Sequence, residues 1–206
     1  MKFPDSRLLV FSKSPVPGHV KTRLVPLLGR RGAAELYARF VHERLALASR
    51  AQLCPVELWC TPSREAAFFQ SCGARFGISL HEQPPGDLGR RMHLALTEAL
   101  GRCRAAVLIG ADCPGLTEAD LEEALATLAR GTDVVLGPAT DGGYYLIGLR
   151  WPIRGLFSGI RWGGTRVYAD TVARLEQRGI TYHRLPVRDD VDTPDDYHRL
   201  CALSTG

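Results

Sequence analysis

Three turns that carry aspartate follow apolar segments of this sequence, at residues 110–114, 140–143 and 189–196. Hard cations such as Mg²⁺ take oxygen ligands and usually lie between one or two carboxylates and the phosphates of a substrate. Asp112 follows a buried-strand pattern and precedes a Pro-Gly pair, so it is either a metal ligand at a strand end or an aspartate that stabilises a turn. The three turns make metal-assisted phosphate chemistry the first hypothesis.

The acidic turn at residues 189–196 places several like charges within eight positions. Such charges repel one another unless they face water, cap a helix or meet a cation. Asp195 and Asp196 fit the first turn of a final helix, where the helix dipole favours acids. Asp190 and Asp192 are left as candidate cation ligands, and Asp192 is the stronger of the two.

A basic loop at residues 12–24 supplies the opposite charge. It contains Lys13, Lys21 and Arg23 together with Gly18. Gly18 would let the backbone approach a ligand, and the cations could neutralise phosphate, Arg23 through a bidentate contact. The spacing is not that of a P-loop or of a dinucleotide glycine fingerprint. The alternative is a solvated basic loop around a Pro-Gly turn.

Two further loops carry glycines beside residues that could contact a ligand. Residues 83–89 are rich in glycine and proline and precede a predicted helix, so their backbone amides either face a ligand or lie on the surface. Trp162 precedes a Gly-Gly pair and belongs either to an acceptor-side loop or to a buried aromatic contact beside a flexible turn.

The composition is that of an ordinary globular protein. Of 206 residues, 45% are hydrophobic and 23% charged, which suffices for a continuous core and excludes general disorder. The net charge of +4 has no long basic block and favours anionic small molecules over nucleic acid. The six cysteines show no metal or redox spacing, and no segment approaches the roughly 20 apolar residues that span a bilayer. We expect a cytoplasmic protein with reduced thiols that binds neither nucleic acid nor membrane, with a homodimer left open.

Short apolar runs alternate with helical patterns along the chain. Strands are predicted at residues 7–12, 55–60, 76–81, 105–110, 133–137 and 144–149, and helices at residues 33–48, 64–72, 88–100, 117–129 and 164–178. Thr117 is the predicted N-cap of its helix. The turn at residues 140–143 predicts a sharp reversal. We therefore predict one α/β domain over residues 1–206, a three-layer sandwich with a mixed, mostly parallel central sheet whose loops meet at the carboxyl ends of the strands.

Taken in order, the motifs resemble a known family. They are Phe-Ser-Lys at 11–13, Pro-Gly at 17–18, Lys-Thr-Arg-Leu at 21–24, Gly-Asp-Leu-Gly at 86–89, Arg-Met at 91–92, Gly-Ala-Asp-Cys-Pro at 110–114, Asp-Gly-Gly-Tyr-Tyr-Leu-Ile-Gly-Leu at 141–149 and Asp-Val-Asp-Thr-Pro-Asp-Asp at 190–196. The sequence resembles the small bacterial GT-A-fold transferases called arsenosugar-biosynthesis glycosyltransferases, or DUF2064 proteins, related to the phospholactate guanylyltransferases. One departure is that residues 12–23 replace the Leu-x-Gly-Gly-x-Gly-Thr-Arg loop of typical sugar-phosphate nucleotidylyltransferases.

The resemblance implies a nucleotide-diphospho-sugar transferase architecture and roles for particular residues. Asp112 and Asp192 would hold a divalent ion, Mg²⁺ or Mn²⁺, while Lys21 and Arg23 would contact phosphates and assist catalysis. The nucleotide-binding residues would be Ser12, Lys13, Gly18, Lys21, Arg23, Gln83, Gly86, Asp87 and Gly89. The acceptor-binding residues would be Asp141, which could also act as the acceptor base, and Gly142, Tyr144 and Trp162.

These assignments lead to three functional hypotheses. The first is a metal-dependent transferase that moves a glycosyl group from a nucleotide sugar to a small acceptor. The second is a nucleotidylyltransferase, in which a substrate phosphate attacks a nucleoside triphosphate and pyrophosphate leaves. The third is a non-catalytic nucleotide-binding protein. Because the same ion and cations serve the first two, the motifs do not separate them.

Overall fold

The computed structural model describes residues 1–203 of the chain. Its strands are β1 (Ser6–Lys13), β2 (Val56–Thr61), β3 (Ser79–Glu82), β4 (Ala105–Ile109), β5 (Val134–Pro138), β6 (Tyr144–Leu149) and β7 (Tyr182–Arg184). Its helices are α1 (Val25–Ala51), α2 (Ala67–Phe76), α3 (Leu88–Leu100), α4 (Glu118–Ala129), α5 (Val167–Gln177) and α6 (Pro194–Leu203), and a short 3₁₀ turn at Thr22–Leu24 precedes α1.

All seven strands belong to one sheet in the order β3-β2-β1-β4-β6-β5-β7. Only β6 runs antiparallel to its neighbours within this sheet, β4 on one side and β5 on the other. The short turn at residues 140–143 forces this reversal, because it leaves no room for a crossover helix. The prediction of a mixed, mostly parallel sheet is confirmed.

The side chains of each central strand alternate between two cores, one on each face of the sheet. In β1, Leu8 and Val10 pack with α1, α2 and α4, whereas Leu9 and Phe11 pack with α3 and α5. A strand that buries both faces is apolar at nearly every position, which explains the continuous runs in the sequence. The predicted three-layer α/β sandwich is confirmed.

Helix boundaries follow local signals where those signals are strong. Thr117 caps α4 through a reciprocal capping box with Asp120. The helix predicted at residues 33–48 instead forms part of α1, which begins at Val25 and is interrupted by non-helical backbone at Gly29. The sequence prediction missed β7, which has three residues and pairs with β5. Between residues 1 and 203, no helix has both the length and the apolar character needed to cross a bilayer.

Candidate functional site

A cavity of about 660 Å³ lies at the edge of the sheet where the parallel strands end. The loops after β1, β3, β4 and β7 meet there, together with the turn that leads into β6. The cavity is lined by these predicted site residues: Ser12, Lys13, Lys21, Arg23, Gln83, Gly86, Asp112, Asp141, Tyr144, Trp162 and Asp192. The fold therefore brings together side chains that lie up to 180 residues apart in the chain.

Backbone hydrogen bonds hold the two acidic loops side by side. The amide of Val191 donates to the carbonyl of Asp112 at 3.2 Å, which places Asp192 next to the loop after β4. The preceding segment is anchored by Arg188, whose amide donates to the carbonyl of Pro138 and whose guanidinium pairs with the buried carboxylate of Asp120 at 2.9 Å. Asp120, the partner of Thr117 in the capping box of α4, thus helps to position the acidic turn.

A buried arginine fixes the loop that follows Asp112. Arg44 of α1 donates to the carbonyls of Leu116 and Pro114, at 2.7 and 3.2 Å. Burial lowers the pKa of its guanidinium. In the same loop, burial raises the pKa of the Cys113 thiol to about 12, so Cys113 is a neutral packing residue beside the carboxylate.

Lys21 lies between the two predicted metal ligands. Its Nζ is 2.8 Å from Asp112 Oδ1 and 2.7 Å from Asp192 Oδ1, and the second contact also has the angles of a hydrogen bond. The side chain of Lys21 is only 3% exposed, whereas those of Asp112 and Asp192 are 44% and 43% exposed. Burial by itself lowers the pKa of Lys21, but the two carboxylates outweigh it and the pKa is raised. The ammonium is therefore charged at neutral pH.

A third carboxyl group, that of Asp190, lies close to those of Asp112 and Asp192. The sequence analysis had made Asp190 a weaker candidate cation ligand than Asp192. The Oδ1 of Asp190 is buried and, within residues 1–203, makes no hydrogen bond. Burial, together with the charges of Asp112, Asp141 and Asp192, raises the pKa of Asp190 to about 7. A carboxyl oxygen held in this way beside two exposed carboxylates suits a divalent cation. Within the described part of the chain, however, no group of three or more acidic, histidine or cysteine side chains is preformed as a metal centre.

On the predicted nucleotide side, side-chain hydrogen bonds hold together the segments that form the floor of the cavity. Tyr37 of α1 accepts a hydrogen bond from the amide of Lys13 at 3.0 Å, and its hydroxyl lies 3.3 Å from Ser12 Oγ. Gln83 donates to the carbonyls of Ser12 and Trp59, at 3.2 and 2.9 Å. The ends of β1 and β2 are thereby fixed relative to the loop before α3. Tyr37 is a positioning residue that sequence reasoning missed.

The predicted acceptor side is built around the turn at residues 140–143. Asp141 accepts a hydrogen bond from the amide of Gly143 at 2.8 Å, so it stabilises its own turn. Gly142 has a φ of +89°, and a Cβ there would lie 2.0 Å from the carbonyl oxygen of Thr165. Only glycine allows this close approach between the turn and the segment before α5.

Two aromatic residues on the predicted acceptor side, Tyr144 and Trp162, also pack against other parts of the fold. Tyr144 lines the cavity, but its hydroxyl is buried near Thr171 of α5, and this burial raises its pKa. Trp162 packs edge-on against Tyr144 and lies so close to Gly89 that a Cβ there would be 2.7 Å from the indole. Trp162 is therefore both a cavity wall and a partly buried contact that connects its own loop to α3 and β6.

Four predicted site residues do not line the cavity. Each of them instead has a structural role in a turn, a helix cap or a close packing contact. Gly18 adopts a φ of +84° in the turn before Lys21, and Asp87 caps α3 by accepting from the amide of Arg90. Gly89 is packed against the indole, and Gly142 against the segment before α5. The cavity also includes Arg91, which belongs to a quoted family motif but was not predicted as a site residue; its Nε donates to the carbonyl of Gly86 at 2.8 Å.

The family of the chain follows from comparison with known proteins. The family model DUF2064, described as "Uncharacterized protein conserved in bacteria", matches residues 44–164. A solved structure from Desulfovibrio desulfuricans G20, provisionally assigned as a nucleotide-diphospho-sugar transferase, is 35% identical over 96% of this chain and 86% of its own, with a TM-score of 0.88. The chain belongs to the DUF2064 family. No curated protein matches it in sequence.

More distant structures share the fold of this DUF2064 protein. The 4-diphosphocytidyl-2C-methyl-D-erythritol synthase of Anaerococcus prevotii DSM 20548 is 9% identical, with a TM-score of 0.66 over 98% of this chain and 99% of its own. The glucosyl-3-phosphoglycerate synthase of Mycobacterium tuberculosis, solved with Mn²⁺, UDP and glucosyl-3-phosphoglycerate, is 12% identical, with a TM-score of 0.56 over 98% of this chain and 76% of its own. The predicted nucleotide-diphospho-sugar transferase architecture is confirmed, and so is the assignment of the chain to the transferases.

Proposed function

We propose that this DUF2064 protein is a divalent-cation-dependent glycosyltransferase that takes a nucleotide sugar as donor and a small molecule as acceptor. The observation that carries the proposal is the cavity in which Lys13, Lys21 and Arg23 face Asp112 and Asp192. Such an arrangement matches a diphosphate that bridges protein cations and a carboxylate-bound metal ion. The relative from Desulfovibrio desulfuricans, with its provisional assignment, supports the same chemistry.

The residues fit a divalent cation because they are hard oxygen donors and Asp190 supplies a buried oxygen without a hydrogen bond inside the described residues. Asp112 and Asp192 would hold the ion, which when bound offsets negative charge on the leaving diphosphate. In the transfer, the bond from the anomeric carbon to the diphosphate oxygen breaks and the electron pair stays on the diphosphate. The acceptor oxygen forms the new bond, and its proton passes to a base, for which Asp141 is the candidate.

The second candidate is nucleotidyl transfer, and one observation favours it. Asp141 already accepts a hydrogen bond from the amide of Gly143, which holds the carboxylate in its own turn and leaves it less available to an acceptor hydroxyl. A phosphate acceptor is ionised at neutral pH and needs no general base. In that reaction the acceptor phosphate attacks the α-phosphorus of a nucleoside triphosphate, and pyrophosphate leaves with the electron pair.

Products and ligand-induced stability separate these candidates. Protein stripped of metal and then supplied with Mg²⁺ or Mn²⁺ is incubated with nucleotide sugars plus small hydroxyl acceptors, or with nucleoside triphosphates plus sugar phosphates. Release of nucleoside diphosphate supports the first candidate, and release of pyrophosphate supports the second. A ligand at 100 times its dissociation constant should stabilise the fold by about 2.7 kcal/mol, and Asp112→Asn and Asp192→Asn should abolish the metal-dependent part. Absence of stabilisation by every nucleotide would contradict both candidates.

A further inference from the structure

The ammonium of Lys21 already neutralises the two carboxylates to which the proposed function assigns a divalent cation. Its ammonium contacts Asp112 and Asp192 at 2.8 and 2.7 Å, so it neutralises the two carboxylates assigned to the divalent cation. An ion that binds the same carboxylates would lie within a few ångströms of a buried ammonium. Repulsion between the two cations would be poorly screened there, because the Lys21 side chain is only 3% exposed.

The backbone of Lys21 is held in an unusual conformation. Its φ and ψ are 46° and 43°, in the left-handed region that residues with a Cβ seldom adopt. Such conformations persist when the surroundings impose them. Here the surroundings are the two carboxylates and the ring of Phe40, whose centroid is 5.9 Å from Nζ. The side chain is therefore held by contacts of two kinds, and a competing cation would remove those with Asp112 and Asp192.

We propose that Lys21 is the resident cation of the Asp112–Asp192 pair, so that a divalent cation binds by displacing its ammonium. The displaced ammonium then becomes available to the phosphates of a nucleotide, for which the proposed function uses Arg23 and Lys13 of the same cavity. This inference rests on the proposed function, since it assumes that the carboxylate pair takes a divalent ion. It explains how one lysine can pair with the carboxylates in the metal-free protein and with the phosphates when metal and nucleotide are bound.

The test measures Mn²⁺ affinity without any nucleotide. Protein stripped of metal is titrated with Mn²⁺ at pH 7.5, and the free ion is followed by its electron paramagnetic resonance signal. Lys21→Met should bind Mn²⁺ at least about tenfold more tightly than the wild type, because the ion no longer competes with an ammonium in contact with both carboxylates. Lys21→Gln should change the affinity in the same direction and serves as a second variant if the first folds poorly, which circular dichroism checks.

Lys13→Met is the matched control. It removes one positive charge from the lining of the same cavity, but Lys13 is exposed and no ion pair with Asp112 or Asp192 is seen for it in the described structure. Its Mn²⁺ affinity should stay within about threefold of the wild type, since an exposed charge is screened by water and salt. A similar gain in both variants would indicate a general effect of net charge and would overturn the inference.

A thermal readout accompanies the titration. Without metal, Lys21→Met should melt below the wild type, because Asp112 and Asp192 then repel each other without an intervening cation. Saturating Mn²⁺ should raise its melting temperature by more than that of the wild type. Equal or weaker Mn²⁺ affinity in Lys21→Met would overturn the displacement and make Lys21 a fixed positioning residue, while the proposed cation site would stand. No Mn²⁺ binding by either protein would overturn that site as well, and the product assay would decide the transferase chemistry separately.

Discussion

Replacement of Asp190 by asparagine should stabilise the metal-free protein at neutral pH. In the folded protein, burial and the charges of Asp112, Asp141 and Asp192 raise the pKa of Asp190 to about 7, from an ordinary value of 3.8. Between these two values the folded state binds more protons than the unfolded state. The free energy of unfolding therefore falls as the pH rises through this window, and the loss is complete above about pH 7.

The magnitude follows from the size of the shift. One pKa unit corresponds to about 1.4 kcal/mol, so a shift from 3.8 to about 7 gives an upper limit of roughly 4 kcal/mol, which partial exposure of Asp190 reduces. Asparagine has nearly the same shape and cannot ionise. The stability advantage of Asp190→Asn over the wild type should grow by up to about 3 kcal/mol between pH 4.5 and pH 8.

Urea denaturation at several pH values, with metal removed by a chelator, measures this difference. Asp189→Asn is the matched control, because it makes the same change of charge at the exposed neighbouring position. Its stability relative to the wild type should vary little over the same range. If the difference between Asp190→Asn and the wild type is independent of pH, the reasoning from burial and neighbouring charge is refuted.

Three further substitutions test how the fold supports the site. Gly142→Ala should lower the free energy of unfolding in urea by about 3 kcal/mol, because its φ becomes strained and its Cβ clashes with Thr165. Gly179→Ala is the control, since Gly179 has a φ of +63° and no neighbour within 4 Å, and it should lower the free energy of unfolding by only about 1 kcal/mol. Arg44→Leu should lower it by about 2 to 3 kcal/mol and weaken Mn²⁺ binding, because two loop carbonyls lose a charged donor; unchanged Mn²⁺ affinity would contradict the positioning role. Glu57→Gln should lower it by about 1 to 2 kcal/mol, because the buried carboxylate loses its charge beside the half-exposed Arg102, while nucleotide-induced stabilisation should be unchanged, since Glu57 does not line the cavity.

The sequence by itself determined the layers of the fold and the loops that form the cavity. Short continuous apolar runs such as residues 105–109 predicted strands buried on both faces, and the four-residue turn at 140–143 predicted a reversal within the sheet. Thr117, followed by the acidic residues Glu118 and Asp120 in the first turn, was enough to locate the start of α4. These features depend on neighbouring residues, so local periodicity and turn chemistry reveal them. The short strand β7 escaped detection because three residues carry too little pattern.

Only the tertiary structure decided which charges meet. Lys21 contacts Asp112 and Asp192 across 91 and 171 positions, respectively, so no spacing rule could have found the ion pairs. The raised pKa of Asp190 likewise depends on burial and on carboxylates from two other loops. Tyr144 shows the same limit, because it lines the cavity although its hydroxyl is buried near α5. Electrostatic energies depend on distance and on the surrounding dielectric, and both are set by packing between segments that are remote in the chain.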